Sequence, residues 1–230
     1  MPHRGASLVL DFLFPPRCVG CGRVGRFLCE GCVGTLPRIL PPVCPYCGRP
    51  QISDIACPQC AGHTLSIDAV RSPFRFEGAV RRAILELKYS RIRALAPVLA
   101  SLVADYFVLN LLPGDVLVPV PLHRRRLKQR GYNQSELLAK DLSALTGVPM
   151  DTTSLARTGA EDPQVRAQDA AQRKMNVAGA FFCRDGSMQG RRVILVDDVC
   201  TSGATLEACA CAVKQGGAAS VRGFTVARQG

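Results

Sequence analysis

Four C-x-x-C pairs fall within 43 residues: Cys18/Cys21, Cys29/Cys32, Cys44/Cys47 and Cys57/Cys60. A C-x-x-C step bends the backbone so that two thiolates reach one ion, and zinc takes four of them tetrahedrally. The run therefore predicts two zinc ions bound by these eight cysteines. Residues 1–66 are rich in Cys, Gly and Pro and lack a long periodic segment, so they cannot build a core without such a staple. Sequential pairing, 18/21 with 29/32 and 44/47 with 57/60, closes the shortest loops; a crossed arrangement stays open. In "CVGCG" and "CPYCG" a glycine follows the second cysteine, where the turn favours positive φ. A redox C-x-x-C would not come in four copies, and one zinc with spare thiols is the other reading. His63, three residues past Cys60, either flanks the site or replaces a ligand. A closed four-thiolate site leaves no position for chemistry, so the expected role is structural.

The remaining cysteines, Cys183, Cys200, Cys209 and Cys211, are scattered. With no export signal ahead of them, twelve cysteines argue against a disulfide framework and for a cytoplasmic protein. The apolar stretch at 8–14 is interrupted by Asp11 and closed by two prolines. It is too short to span a bilayer and reads as a short amphipathic helix. Cys209 and Cys211 read as packing residues and Cys200 as a small filler. The formal charge is +11, and two four-thiolate zinc sites of charge −2 each would lower it to about +7. The balance favours an anionic partner without separating phosphorylated metabolites from nucleic acid. Trp is absent and aromatics are scarce, which counts against a binder that stacks bases.

From residue 67 the texture changes. "DAVRSPFRFEG" reads as two extended pieces about Pro73. "AVRRAILELKY" reads as a short amphipathic helix, and "PVLASLVADYFVLN" as a second with Pro97 in its first turn. "DVLVPVP" is a buried strand closed by prolines. The basic run "HRRRLKQRGYNQ" follows, and Asn133 with Glu136 suggests a capping pair for the next helix. Residues 157–176 read as a mobile polar loop. "GAFFC", "RRVILVDDV" and "SVRGFTVAR" read as strands, and an alanine-rich helix from Thr205 stops at Gly216-Gly217. Strands alternating with helices predict an α/β fold with a mostly parallel sheet, over 67–230, after the Cys-rich module of 1–66.

Within "VILVDDVCTSGAT", a central strand over 193–196 is expected to deliver Asp197 and Asp198 to the C-terminal edge of the sheet, where ligands of open α/β sheets bind. Thr201, Ser202, Gly203, Ala204 and Thr205 then turn into a helix. Free N–H groups, the helix dipole and the hydroxyls would hold a phosphate dianion, and Gly203 lets the backbone approach it. A phosphate beside two carboxylates suits a sugar phosphate, the acids accepting hydrogen bonds from ring hydroxyls. A Walker loop and a Rossmann glycine fingerprint are both absent. Only 32 residues follow Asp198, too few for the strands a response-regulator acid pair needs.

This stretch resembles the 5-phosphoribosyl 1-diphosphate (PRPP) motif of type I phosphoribosyltransferases. The four C-x-x-C pairs, "LKY" at 87–89, "VPVPLH" at 118–123, "RGYNQ" at 130–134 and "RKMNVAGAF" at 173–181 add a resemblance to one branch, the ComF family, over almost the whole chain. Ser202 stands where many members carry Thr. The resemblance implies a type I phosphoribosyltransferase fold behind a double zinc ribbon. It implies that Asp197 and Asp198 hold the ribose hydroxyls of PRPP and that Thr201 to Thr205 hold its 5-phosphate. The turn with Pro121 and His123 would line the diphosphate with its magnesium ion, while Arg130, Arg173 and Lys174 lie on segments that close over the site. Lys88 reads equally as an anion contact or a solvated lysine, and His123 equally as a ligand contact or a turn residue. The family is also associated with natural competence, which implies single-stranded DNA and competence-machinery proteins as partners. Two functions follow: transfer from PRPP to an unnamed acceptor, or DNA handling by a protein that keeps the PRPP fold without turnover. The start Met-Pro-His offers no N-terminal cysteine, so release of ammonia from glutamine is not expected.

Overall fold

The computed structural model describes residues 15–53, 55–62, 64–111, 113–158 and 180–230. The expectations for 8–14, for His63, and for the polar loop beyond residue 158, with Arg173 and Lys174, lie outside these residues; at its start Arg157 closes a strand and not a loop. In the first part of the chain a short helix, α1 (Glu30–Gly34), is followed by strands β1 (Ala69–Arg71) and β2 (Phe74–Arg75) and helices α2 (Gly78–Tyr89) and α3 (Leu95–Leu111). Next come β3 (Val116–Pro119), α4 (Arg124–Arg130), α5 (Gln134–Thr146), β4 (Leu155–Arg157) and β5 (Phe181–Cys183). The chain closes with β6 (Arg192–Cys200), α6 (Ala204–Gln215) and β7 (Ser220–Arg228).

The apolar runs build one parallel sheet in the order β1-β7-β6-β3, with β2 also paired to β7. Strand side chains alternate between faces, and the alternation is visible in β6. Ile194 and Val196 enter a core with Ile84, Leu87, Val103, Phe107 and Leu138 of α2, α3 and α5. Val193 and Leu195 enter a second core with Leu206, Cys209 and Val213 of α6. Phe107 and Phe224 meet edge to face at 5.2 Å across the first core. On the second face β4 and β5 pair antiparallel beside α6. The layers are thus helix, sheet, helix, as the alternation of strands and helices predicts. The basic run after β3 folds as α4, a helix that its sequence of cations does not announce.

Strand lengths place the site. β3 pairs with β6 from Val116↔Val193 to Pro119↔Val196 and stops, whereas β6 continues beside β7 as far as Cys200↔Arg228. The strand read over 191–199 therefore runs through both acids, because β7 goes on supplying hydrogen bonds after β3 has left.

The Cys-rich module is part of the same body. Cys18, Leu28 and Leu36 belong to the first core, and Arg82 of α2 donates to the carbonyls of Val19 and Gly20 at 2.7 and 2.9 Å. Further along, Val70 N of β1 donates to Tyr46 O at 2.6 Å and Arg71 to Pro45 O at 3.0 Å.

Candidate functional site: two thiolate clusters and an acid-pair turn

The eight paired cysteines gather into two groups, Cys18, Cys21, Cys29 and Cys32 in one and Cys44, Cys47, Cys57 and Cys60 in the other. Within each group the sulfurs lie within 4.8 Å of one another. This is the sequential pairing. The Cys21–Cys29 and Cys47–Cys57 Sγ separations are both 3.7 Å, close to the ~3.8 Å edge of a tetrahedron with Zn–S bonds of about 2.3 Å. The donor set fits zinc. Each knuckle repeats one pattern: Gly22 N donates to Cys18 O at 2.7 Å, Gly48 N to Cys44 O at 2.9 Å, and both glycines have positive φ, +77° and +70°. Burial pushes the Cys18 and Cys44 thiols up, but backbone N–H groups, among them those of Cys29 and Cys57, outweigh it and bring both down to about 6. Desolvation and its sulfur neighbours hold Cys60 far above the thiol range. A site that favours some thiolates before metal arrives has a reduced deprotonation cost on binding it.

At the far edge of the sheet the two acids differ. Asp198 is 2% exposed, and its Oδ1 lies 2.7 Å from Lys88 Nζ at the end of α2. Its Oδ2 is buried and has no hydrogen-bond partner among the described residues. Asp197 Oδ1 accepts from Ser135 Oγ at 2.7 Å and from Asp198 N at 2.9 Å. Burial, with the Asp198 charge second, raises Asp197 to about 7; Ser135, the Asp198 N–H and Lys88 work against the rise. Lys88, mostly buried, is ion-paired with the second acid. Ser135, which the sequence reading passed over, holds the first.

Thr201, Ser202, Ala204 and Thr205 are exposed, and Gly203 caps α6 with φ +87°. Ser202 Oγ accepts from Ala204 N at 3.3 Å. Glu207 in the first turn of α6 accepts from Ser66 N and Ile67 N, at 2.6 and 3.2 Å, which ties the helix to the chain leaving the Cys-rich module.

Beside the acids, the turn after β3 separates two cavities of about 460 Å³ each that share Leu122. Pro121 and His123 line the first, with Arg124, Lys128, Arg157 and Arg184. Lys88, Arg91, Arg126 and Arg130 line the second, and no carboxylate among the described residues does. His123 caps α4, its Nδ1 accepting from Arg125 N at 3.1 Å, so it is a turn residue that also faces a cavity. Arg130 donates to Gln134 and lies over the Tyr89 ring at 5.6 Å. Tyr132 and Asn133 are buried anchors: Tyr132 donates to Leu87 O, while Asn133 Nδ2 donates to Val120 O at 3.0 Å and its Oδ1 caps α5. "RGYNQ" thus fixes the turn after β3 against α2 and α5. The predicted capping residue is correct; among the described residues Ser135, two positions on, supplies its N–H. Thr201 to Thr205 line neither cavity and stand beyond the acids at the mouth of α6.

Residues 9–61 match the sequence profile of the double zinc ribbon domain, and residues 132–230 that of the phosphoribosyl transferase domain. The chain is 30% identical to competence protein ComFC of Bacillus subtilis over 212 residues, covering 87% of this chain and 84% of that protein. The chain belongs to the ComF family. DNA utilization protein YhgH of Escherichia coli is 31% identical over 192 residues, 81% of this chain and 84% of that one. Among solved structures, a glutamine PRPP amidotransferase from B. subtilis aligns with a TM-score of 0.45 at 19% identity, over 61% of this chain and 30% of the longer one. The fold of this ComF chain is the type I phosphoribosyltransferase fold behind a double zinc ribbon, as its motifs imply. No helix among the described residues is long and apolar enough to cross a membrane.

Proposed function

We propose that residues 67–230 bind PRPP at the edge of the sheet and transfer its phosphoribosyl group, while residues 1–66 serve as a zinc-stapled support. The observation that carries this reading is the buried, unpartnered Oδ2 of Asp198 beside an exposed turn of hydroxyls and helix N–H groups. A buried carboxylate oxygen without a donor is costly, and a ribose hydroxyl is the donor a sugar phosphate seated on that turn would bring. In this reading Thr201, Ser202, Gly203, Ala204 and Thr205 hold the 5-phosphate, and Asp197 and Asp198 accept from the ribose hydroxyls. The turn with Pro121 and His123, Arg130, and the segment carrying Arg173 and Lys174 surround the diphosphate. Lys88 acts through Asp198, with which it is ion-paired.

The reaction breaks the bond between the anomeric carbon and the diphosphate oxygen, which leaves with the electron pair. The acceptor's lone pair forms the new bond, and the acceptor then gives up its proton. Charge at the anomeric carbon in the transition state resembles that of glycoside cleavage, so two fixed carboxylates at the ribose stabilise it. Magnesium bound with PRPP would neutralise the departing diphosphate. The test is thermal: PRPP with magnesium is expected to raise the melting temperature, and Asp197→Asn/Asp198→Asn to abolish the shift. A shift unchanged in the double variant rules the assignment out.

A second reading, handling of single-stranded DNA, is favoured by one observation: a cavity lined by Arg91, Arg126 and Arg130, with no carboxylate among the described residues that line it. The relatives named for competence and DNA utilization support a role linked to DNA uptake, in the cytoplasm and beside competence-machinery proteins. Affinity for a single-stranded oligonucleotide should then fall steeply with salt and drop on Arg126→Ala/Arg130→Ala. Binding that is flat with salt opposes it.

A further inference from the structure

Arg228 ends β7, is 2% exposed, and is the largest fully buried side chain of the described residues. Among those residues it is in no ion pair with a carboxylate. Its Nη2 donates to the carbonyl of Cys47, and its Nη1 to the carbonyl of Thr201 at 3.5 Å. Its Nε is buried with no partner among the described residues. Cys47 belongs to the second thiolate cluster, and Thr201 opens the turn at the N-terminus of α6. The side chain therefore bridges a zinc knuckle and the sugar-phosphate turn of the proposed site. Its register partner Cys200 is fixed from the same side, by Gln229 N on Cys200 O at 2.9 Å.

A guanidinium held away from water without an anion is expensive. Two anions are within the chemistry of its surroundings: a four-thiolate zinc centre of net charge −2, and a phosphate dianion on the turn. Through space these two dianions repel. With a cation placed between them, the repulsion is offset, and each anion lowers the cost of keeping that cation buried. The hydrogen bonds add a mechanical link, since a metal-fixed Cys47 carbonyl holds the guanidinium that holds the Thr201 carbonyl.

We propose that Arg228 is a positioning residue that couples zinc occupancy of the second thiolate cluster to sugar-phosphate binding at 201–205. The proposal rests on the turn being a phosphate site. Linkage makes the coupling reciprocal: ribose 5-phosphate should tighten one zinc ion and leave the other unchanged. Without Arg228 the bare repulsion should abolish or reverse that effect.

The experiment is an equilibrium competition for zinc between the full two-zinc chain and a chromogenic chelator, with and without ribose 5-phosphate. Melting curves of the same samples report whether the sugar phosphate binds. In the wild type, one of the two zinc ions is expected to gain about five-fold or more in affinity. Arg228→Met should lose this gain, or show a decrease, while still binding two zinc ions. Arg228→Lys keeps the charge but loses the two-pronged contact, and should retain only part of the gain. If Arg228→Met does not melt cooperatively, the lysine variant decides, and a full wild-type gain in it overturns the coupling. A gain that persists in Arg228→Met overturns it too, as does wild-type zinc affinity indifferent to ribose 5-phosphate at concentrations that raise the melting temperature. No melting shift at all in the wild type removes the phosphate site itself, and the coupling falls with it.

Discussion

Asp197 is the residue whose ionisation the proposed site depends on. Its folded value of about 7 stands above the ~3.9 of an unfolded chain. Between those values the folded state holds the extra proton, so this group's contribution to stability falls as pH rises from about 4 to 7 and is level above. Ligand binding runs the other way, because ribose hydroxyls donate to the ionised form. Asp198 and Lys88 face the same group, as does the neutral Ser135. Affinity for ribose 5-phosphate is expected to rise about ten-fold between pH 6 and 8, following the ionised fraction of a group of that pKa. The ligand's own phosphate titrates near 6. Asp197→Asn, weaker throughout, should keep only that lesser dependence, and calorimetry at several pH values separates the two. Adjacent acids at a strand end marked a candidate site in the sequence. Their partners were not: Lys88 lies 110 residues away in the chain from Asp198, and nothing local marks Ser135 as a donor.

Elements were legible wherever periodicity and punctuation agreed. β7 runs over the residues its apolar alternation marks, and α5 starts at the predicted asparagine cap. α4 was not legible, since seven residues dominated by arginine and lysine show no apolar period; a histidine cap and a left-handed glycine, Gly131, define it instead. Glycines separate two kinds of turn. At Gly48, φ is +70° and an added Cβ would lie 2.4 Å from Val70 O, so Gly48→Ala combines backbone strain with a clash on β1. A loss of ~2 kcal/mol or more is expected from strain of this kind, read by urea unfolding of the zinc-loaded chain. At Gly203, φ is +87° but the nearest atom to a new Cβ is Cys200 Sγ at 3.9 Å. Gly203→Ala therefore carries the strain alone, about 1–2 kcal/mol, and its larger effect is expected on affinity for ribose 5-phosphate, because the strained backbone is the cradle.

At the scale of the whole molecule, the Cys-rich segment was readable as a metal module, but its union with the rest was not. Cysteine spacing says that the sulfurs bind metal, but it leaves their pairing open and is silent about what the knuckles rest on. Cys18, Leu28 and Leu36 lie in the same core as α2 and α3, so the ribbons and the α/β layers are expected to unfold together. Calorimetry of the zinc-loaded chain should give one transition, and chelation should lower its midpoint by about 10 °C or more, given the size of zinc binding energies. Two transitions, with the upper one indifferent to chelator, would show independent units.

The unequal lengths of β3 and β6 carry a last consequence. Pro119 and Pro121 offer no N–H, so the shorter rail stops where Val120 N reaches Val196 O, and the longer one projects past it like a shelf. The acids stand on that shelf because no neighbour zips over them. A chain variant that let the short rail grow by a residue or two would cover the opening with its own peptide groups. The reach of the sheet at this edge is thus set by imino acids, through the N–H groups they lack.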